Sequence, residues 1–172
     1  MKTFLRENKT GEKTEFITSV EYCKTSSGFN FKFSCHDSKL FSAGNKDNDP
    51  IFKGDVVEVF MCTGGDLSEY YELEVAPNGT IFFALIKNDG KDITPTYLEK
   101  TFTSEVTITE KGYDCEIFIP FESVNYKEDV PVKFNAFRIE TEGGIPDKNL
   151  ISLNPTLCST FHKPEKFIEF ND

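Results

Sequence analysis

The chain has 172 residues, enough for one domain that hides roughly 70% of its unfolded surface, and a second domain is not expected. Twenty-nine acidic against nineteen basic residues give a net charge of −10, the wrong sign for a phosphate-neutralising surface, so nucleic acid is excluded as a partner. No span approaches the roughly 20 apolar residues of a membrane helix, which argues against a membrane, and 18 Phe with 6 Tyr and no Trp point to a folded aromatic core.

The first segment, MKTFLRENKTGEKTEF, lacks the apolar h-region of a signal peptide. As given, the chain reads as cytoplasmic; trimmed of a leader, it would be secreted. From there on, period-two alternation dominates, in short runs separated by turn residues. This predicts one all-β domain over residues 1–172, an antiparallel β-sandwich of jelly-roll type with about nine or ten strands and little helix.

FNFKFSC puts Phe29, Phe31, Phe33 and Cys35 on one face and Asn30, Lys32 and Ser34 on the other, a half-buried strand. The loop NKDNDP then offers oxygen donors at Asn45, Asp47 and Asp49. It has Pro50 where a calcium loop of the EF-hand type needs Gly, and Val56 where it needs Glu. It is a polar loop or a structural calcium site, and no other cofactor is expected. In NDPIFKGDVVEVF, Phe52 precedes a strand carrying Glu58 among valines, a placement that costs desolvation. If Val57, Val59 and Met61 pack inward, Glu58 lies on the second face, as a solvated carboxylate or as an acceptor for a ligand's hydroxyls.

YYELEV alternates Tyr71, Leu73 and Val75 against Glu72 and Glu74, PNG supplies a turn that tolerates positive φ at Asn78 and Gly79, and TIFFALI returns as the second strand of a hairpin. YDCEIFIPF and VPVKFNAFRIE are two further strands. The second sets Val132, Phe134 and Ala136 against Lys133, Asn135, Phe137 and Ile139. TFHKPEKFIEF is the last strand, after Pro164, and residues 37–50, 87–101 and 141–149 read as irregular loops.

Catalytic signatures are absent. There is no GxSxG, the acids cannot be paired across a cleft from sequence, and the two histidines, His36 and His162, lack ligand-spaced partners for zinc. The chain is not expected to be an enzyme. Its five cysteines, Cys23, Cys35, Cys62, Cys115 and Cys158, contain no CxxC pair and read as reduced, mostly buried thiols.

The blocks DPIFKGDVVEVF, YYELEVAPNGTIFFALI, DCEIFIPFESV, VKFNAFRIE and FHKPEKFIEF, in this order over most of the chain, resemble the family 9 carbohydrate-binding modules and their DOMON-like relatives. The resemblance implies a β-sandwich that binds one or two sugar units, often attached to a glycoside hydrolase such as a xylanase. It also implies a sugar clamp between two rings, here Phe52 and Phe161, with Glu58 accepting from sugar hydroxyls. Where the family carries Trp at the clamp, this chain has Phe; where it carries a basic strand residue, this chain has Glu74; where it carries Gln, this chain has Phe137. Asn135 and Arg138 are the polar neighbours that could substitute, and His162 is a secondary candidate. Two other readings stand beside sugar binding. One is a degenerate module for protein interaction or a small apolar ligand. The other is a haem-binding relative, which would need Met61 and His162 as axial ligands; nothing in the sequence places these two across a pocket, and no haem is expected.

Overall fold

A computed structural model describes residues 2–146 and 148–171. Strand formation follows the alternation. In β4 (Gly28–His36), Phe29, Phe31, Phe33 and Cys35 are all buried while Lys32 is exposed, and β10 (Gly112–Pro120) repeats the pattern with Tyr113, Cys115, Ile117 and Ile119. The two pair along their whole length, setting Phe31 opposite Ile117 and Lys32 opposite Glu116.

The remaining strands are β1 (Thr3–Phe4), β2 (Arg6–Glu7), β3 (Thr18–Lys24), β5 (Val56–Cys62), β6 (Glu69–Val75), β7 (Ile81–Asn88), β8 (Ile93–Tyr97), β9 (Thr103–Thr109), β11 (Lys133–Glu140), β12 (Asn149–Ser152) and β13 (Ile168–Glu169). Among the described residues there is no α-helix, only three short 3-10 turns. One sheet runs β1-β3-β4-β10-β9; the other runs β2-β12-β11-β5-β6-β7-β8, with β13 also pairing to β11, and every pairing is antiparallel. The count exceeds the sequence expectation because β1, β2 and β13 are two-residue pairings, and because β8 lies in a segment read as a loop. Pro95 sits inside β8, a position tolerated because β8 is the edge of its sheet.

The β6–β7 hairpin forms as expected, but the turn differs. Only Gly79 of the Asn-Gly pair has positive φ, and Ala76 and Thr80 close a loop of three residues rather than two.

The main core lies between the sheets, with the Phe row of β4 against Val57, Val59, Leu73, Phe83, Phe134 and Ala136. β5, β6 and β11 are buried on both faces, because a second apolar cluster covers the outer face of the eight-stranded sheet. There Phe60, Tyr70, Phe82 and Phe137 pack under Phe161 and Phe167, supplied by the segment that follows β12. Asn8, fully buried just after β2, anchors that segment. Its side-chain amide donates to Thr156 Oγ1 (2.7 Å) and to the Cys158 carbonyl (2.9 Å), and its Oδ1 accepts from Ser152 Oγ (2.8 Å) and the Thr156 amide (3.0 Å).

Candidate functional site

Because β5 and β6 put Val57, Val59, Leu73 and Val75 into the main core, alternation turns Glu58, Glu72 and Glu74 outward onto the second face. Glu58 and Glu74 are directly opposite in the ladder; Glu72 lies two residues along, opposite Phe60. A cavity of about 490 Å³ opens over them, a volume that suits a small organic ligand. The three carboxylates are buried, and one oxygen of each lies within 4.8 Å of the others. Phe60 and Phe82 continue the floor, Phe161 and His162 come from the covering segment, and Phe52, Tyr97 and Lys148 also line the cavity.

The electrostatics follow from burial. Desolvation, added to by the neighbouring carboxylates, pushes Glu58 and Glu74 well above the usual carboxylate range, and burial raises Glu72 to about 7. Lys148 is lowered by its own burial and partly held up by Glu58 and Glu74. Its ammonium sits 4.8 Å from the centre of the Phe52 ring and donates to the Phe52 carbonyl. Burial drops His162 to about 4, so the imidazole is neutral at ordinary pH. Its Nδ1 is 2.8 Å from the Tyr70 hydroxyl, which also accepts from Asn88. The hydroxyl proton is therefore free to go to Nδ1.

Five of the residues singled out from the sequence, Phe52, Glu58, Glu74, Phe161 and His162, surround this one cavity. The two rings are not equivalent. Phe52 is 39% exposed, whereas Phe161 is 5% exposed and stacks on Phe137 with ring centroids 4.2 Å apart. Phe137 thus occupies one face of the second ring.

Asn135 and Arg138 do not line the cavity. Asn135 is buried beneath the covering segment, where it donates to the Asn154 carbonyl (2.7 Å) and accepts from the Asn154 amide (3.0 Å). Arg138 lies on the opposite face of β11, fully buried, bonded to Asp37 (3.1 Å), Glu140, Thr18 and the His36 carbonyl. Alternation requires this: Arg138 shares the face of Phe134 and Ala136. The haem reading lacks its ligand pair for the same reason, since Met61 is in the inter-sheet core and His162 packs against Phe60 on the other side of the sheet. In the NKDNDP loop, Asp47 accepts from the Ile81 amide and Asp49 from the amides of Asn45 and Lys46.

Sequence reasoning did not single out Glu72, Tyr97 or Lys148. Glu72 was within reach, since YYELEV places it on the face of Glu74. Tyr97 lies on the strand hidden by Pro95, and Lys148 carries no local pattern at all.

The two sheets and their order define a β-sandwich of the kind found in family 9 carbohydrate-binding modules. A module of that family from Caldicellulosiruptor kristjanssonii in complex with cellotriose superposes with a TM-score of 0.69 over 98% of this chain and 80% of that one, at 14% identity. The same kind of module from that organism in complex with glucose gives 0.68 over 97% and 82%, also at 14% identity. A Bacteroides uniformis protein provisionally assigned as carbohydrate-binding gives 0.79 over 99% and 86%, again at 14% identity. No protein-family model matches the chain. In sequence, an extracellular protein of Arthroderma benhamiae is 38% identical over 165 aligned residues, which cover 84% of this chain and 73% of that protein. The chain belongs to the family of that protein.

Proposed function

We propose that this chain is a non-catalytic carbohydrate-binding domain whose ligand, a mono- or short oligosaccharide or a sugar chain end, seats in the cavity over Glu58, Glu72 and Glu74. The observation that carries this is the cavity itself. It has carboxylate acceptors in its floor and aromatic rings in its walls, on the face of the sheet turned away from the main core. Phe52 is the ring available for stacking, Glu58 and Glu74 accept from sugar hydroxyls, and Phe161 closes the far wall. Non-catalytic binding fits the grouping of the three carboxyls at one point, since a glycosidase sets its two carboxyls about 5 to 10 Å apart on opposite sides of the scissile bond. One exposed ring and two or three hydrogen bonds, set against the cost of association, correspond to affinities of about millimolar to tens of micromolar.

The proposed setting is polysaccharide breakdown beside a glycoside hydrolase; a location outside the cell is in keeping with the name of the Arthroderma relative, an extracellular protein. Titration of a panel of mono- and disaccharides by calorimetry or NMR, with Glu58→Ala and Phe161→Ala alongside, tests the binding. Saturable binding weakened by both changes supports it; no binding at tens of millimolar, or binding indifferent to both, overturns it. The stacking of Phe161 on Phe137 favours a second reading, an apolar ligand in the same cavity. In that case melting temperature responds to small hydrocarbons and not to sugars.

A further inference from the structure

Glu74 Oε2 is buried, belongs to a side chain that lines the cavity, and is reached by no amide, ammonium or hydroxyl donor among the described residues; the hydrogen-bonding neighbour of the Glu74 carboxyl is the equally buried Glu72 carboxyl. A buried acceptor left unmatched costs the full desolvation of that group, so its retention at a ligand-sized opening points to a donor that arrives from outside. What kind of donor is set by the neighbours. Glu58 and Glu72 each bring an oxygen within 4.8 Å of one another and of Glu74, and three points no farther apart than this have a common point at most about 2.8 Å from each (4.8 Å divided by √3). That is the length of a charge-assisted N–H···O bond. A primary ammonium, with three hydrogens around one nitrogen, has one donor for each carboxylate.

We propose that the cavity selects an amino sugar, a saccharide bearing a free protonated amine such as glucosamine, with its ammonium group held jointly by Glu58, Glu72 and Glu74. This rests on the sugar-binding reading above and names the class of sugar. A neutral sugar supplies hydroxyl donors but adds no positive charge to three acidic groups that have only Lys148, at longer range, acting on Glu58 and Glu74. Lys148 does not fill the role, because its ammonium lies over the Phe52 ring and donates to the Phe52 carbonyl. A divalent cation fits less well: calcium takes six to eight oxygens, whereas the cluster is bordered by the hydrocarbon faces of Phe60 and Phe82 and by a lysine.

Protonation supports the same ligand. Glu58, Glu72 and Glu74 face each other, the Lys148 ammonium and the neutral His162 imidazole, with the Tyr97 phenol also on the cavity wall. Burial raises all three carboxyls, Glu72 to about 7, so the site holds protons near neutral pH. Seating an ammonium expels protons, so amino-sugar binding tightens as pH rises towards 7 and releases protons to the buffer; above about 7.5 the sugar's own amine loses its proton and the gain levels off.

The test uses the full chain and four probes: D-glucose, D-glucosamine, N-acetyl-D-glucosamine and calcium chloride, titrated by calorimetry at pH 6 and pH 7.5. The expected result is glucosamine binding about tenfold tighter than glucose or N-acetylglucosamine at pH 7.5, the step from neutral to charge-assisted hydrogen bonding. Proton release should be visible in buffers of different ionisation enthalpy. In Glu74→Gln and, independently, Glu72→Gln, the ratio of glucosamine to glucose affinity should fall to within about twofold. Glucose binding as tightly as glucosamine overturns the inference and leaves the sugar-binding reading intact. Saturable calcium binding that blocks glucosamine overturns it in favour of a metal site, and no binding of any of the three sugars overturns both.

Discussion

Glu58 and Glu74 stand directly opposite one another in the β5–β6 ladder, both buried and both facing away from the main core. Like charges in this relation oppose strand pairing, by up to about 1 kcal/mol in ordinary sheets. Glu74→Gln keeps the shape and removes one of the two charges. Its melting temperature at pH 8 should therefore exceed that of the wild type, by the equivalent of about 1 kcal/mol. An unchanged or lower value would mean that the pair is not repulsive in the unliganded molecule.

The pH dependence of stability has a sign fixed by burial. Glu72 and Glu140 are both raised to about 7 from an ordinary 4.5, chiefly by desolvation, so the folded state holds protons that the unfolded state has released. Their contribution is fully present below about 4.5 and is lost as pH rises through 7. His162 works in the other direction: lowered to about 4, its contribution is present above 6.5 and lost as pH falls through 4. Between pH 6.5 and 8 only the carboxyl effect operates, at about 1 kcal/mol per group. Melting curves across this interval should fall with rising pH and fall less steeply in Glu72→Gln. A flat wild-type profile would contradict the burial of these groups.

Asn8 couples the N-terminal strands to the covering segment through four hydrogen bonds of one side chain, to Thr156 Oγ1, the Thr156 amide and the Cys158 and Thr160 carbonyls, and to β12 through a fifth, from Ser152 Oγ. Asn8→Ala leaves several buried partners unsatisfied and should cost roughly 1–3 kcal/mol. The loss should be local as well as global, with faster amide hydrogen exchange from Thr156 to His162 and weaker sugar binding. Retained protection there would show that Phe161 and Phe167 hold the segment unaided.

Arg138 gives a contrasting expectation. Arg138→Ala strands Asp37 and Glu140 in the interior and should destabilise by roughly 3–5 kcal/mol. Below its melting temperature the variant should bind sugar as the wild type does, because Arg138 lies across the sheet from the cavity. Reduced affinity in a folded Arg138→Ala sample, judged by NMR dispersion, would place this arginine in contact with the ligand.

The fold was legible wherever one face of a strand is buried and the other is wet, as in β4 and β10. It was less legible at β8, where Pro95 mimics a break, and at β9, where Ser104 and Val106 are half-buried and Ile108 is exposed, so that little contrast remains. Much of the site was legible too, because alternation alone carries Glu58, Glu72 and Glu74 to one face. The positions of Asn135 and Arg138 show the limit of motif matching. Their neighbourhood in sequence is right, but Arg138 is one residue out of phase with the cavity face, and Asn135 lies under a segment whose course only the tertiary structure reveals. The contribution of Phe137 was also hidden, since nothing local in the chain says that its ring will stack on Phe161.

The wall formed by Phe161 and His162 is some hundred residues downstream of the floor it covers, and it is stitched in place by an asparagine at position 8. During synthesis the floor strands leave the ribosome long before this wall does. Until residue 162 has emerged, the cavity over Glu58, Glu72 and Glu74 lacks this wall and stands more open to water. Closure of the last segment completes the burial that raises Glu72 to about 7, so the molecule takes up protons as it completes itself, and the avidity of the cavity for a cation is finished late.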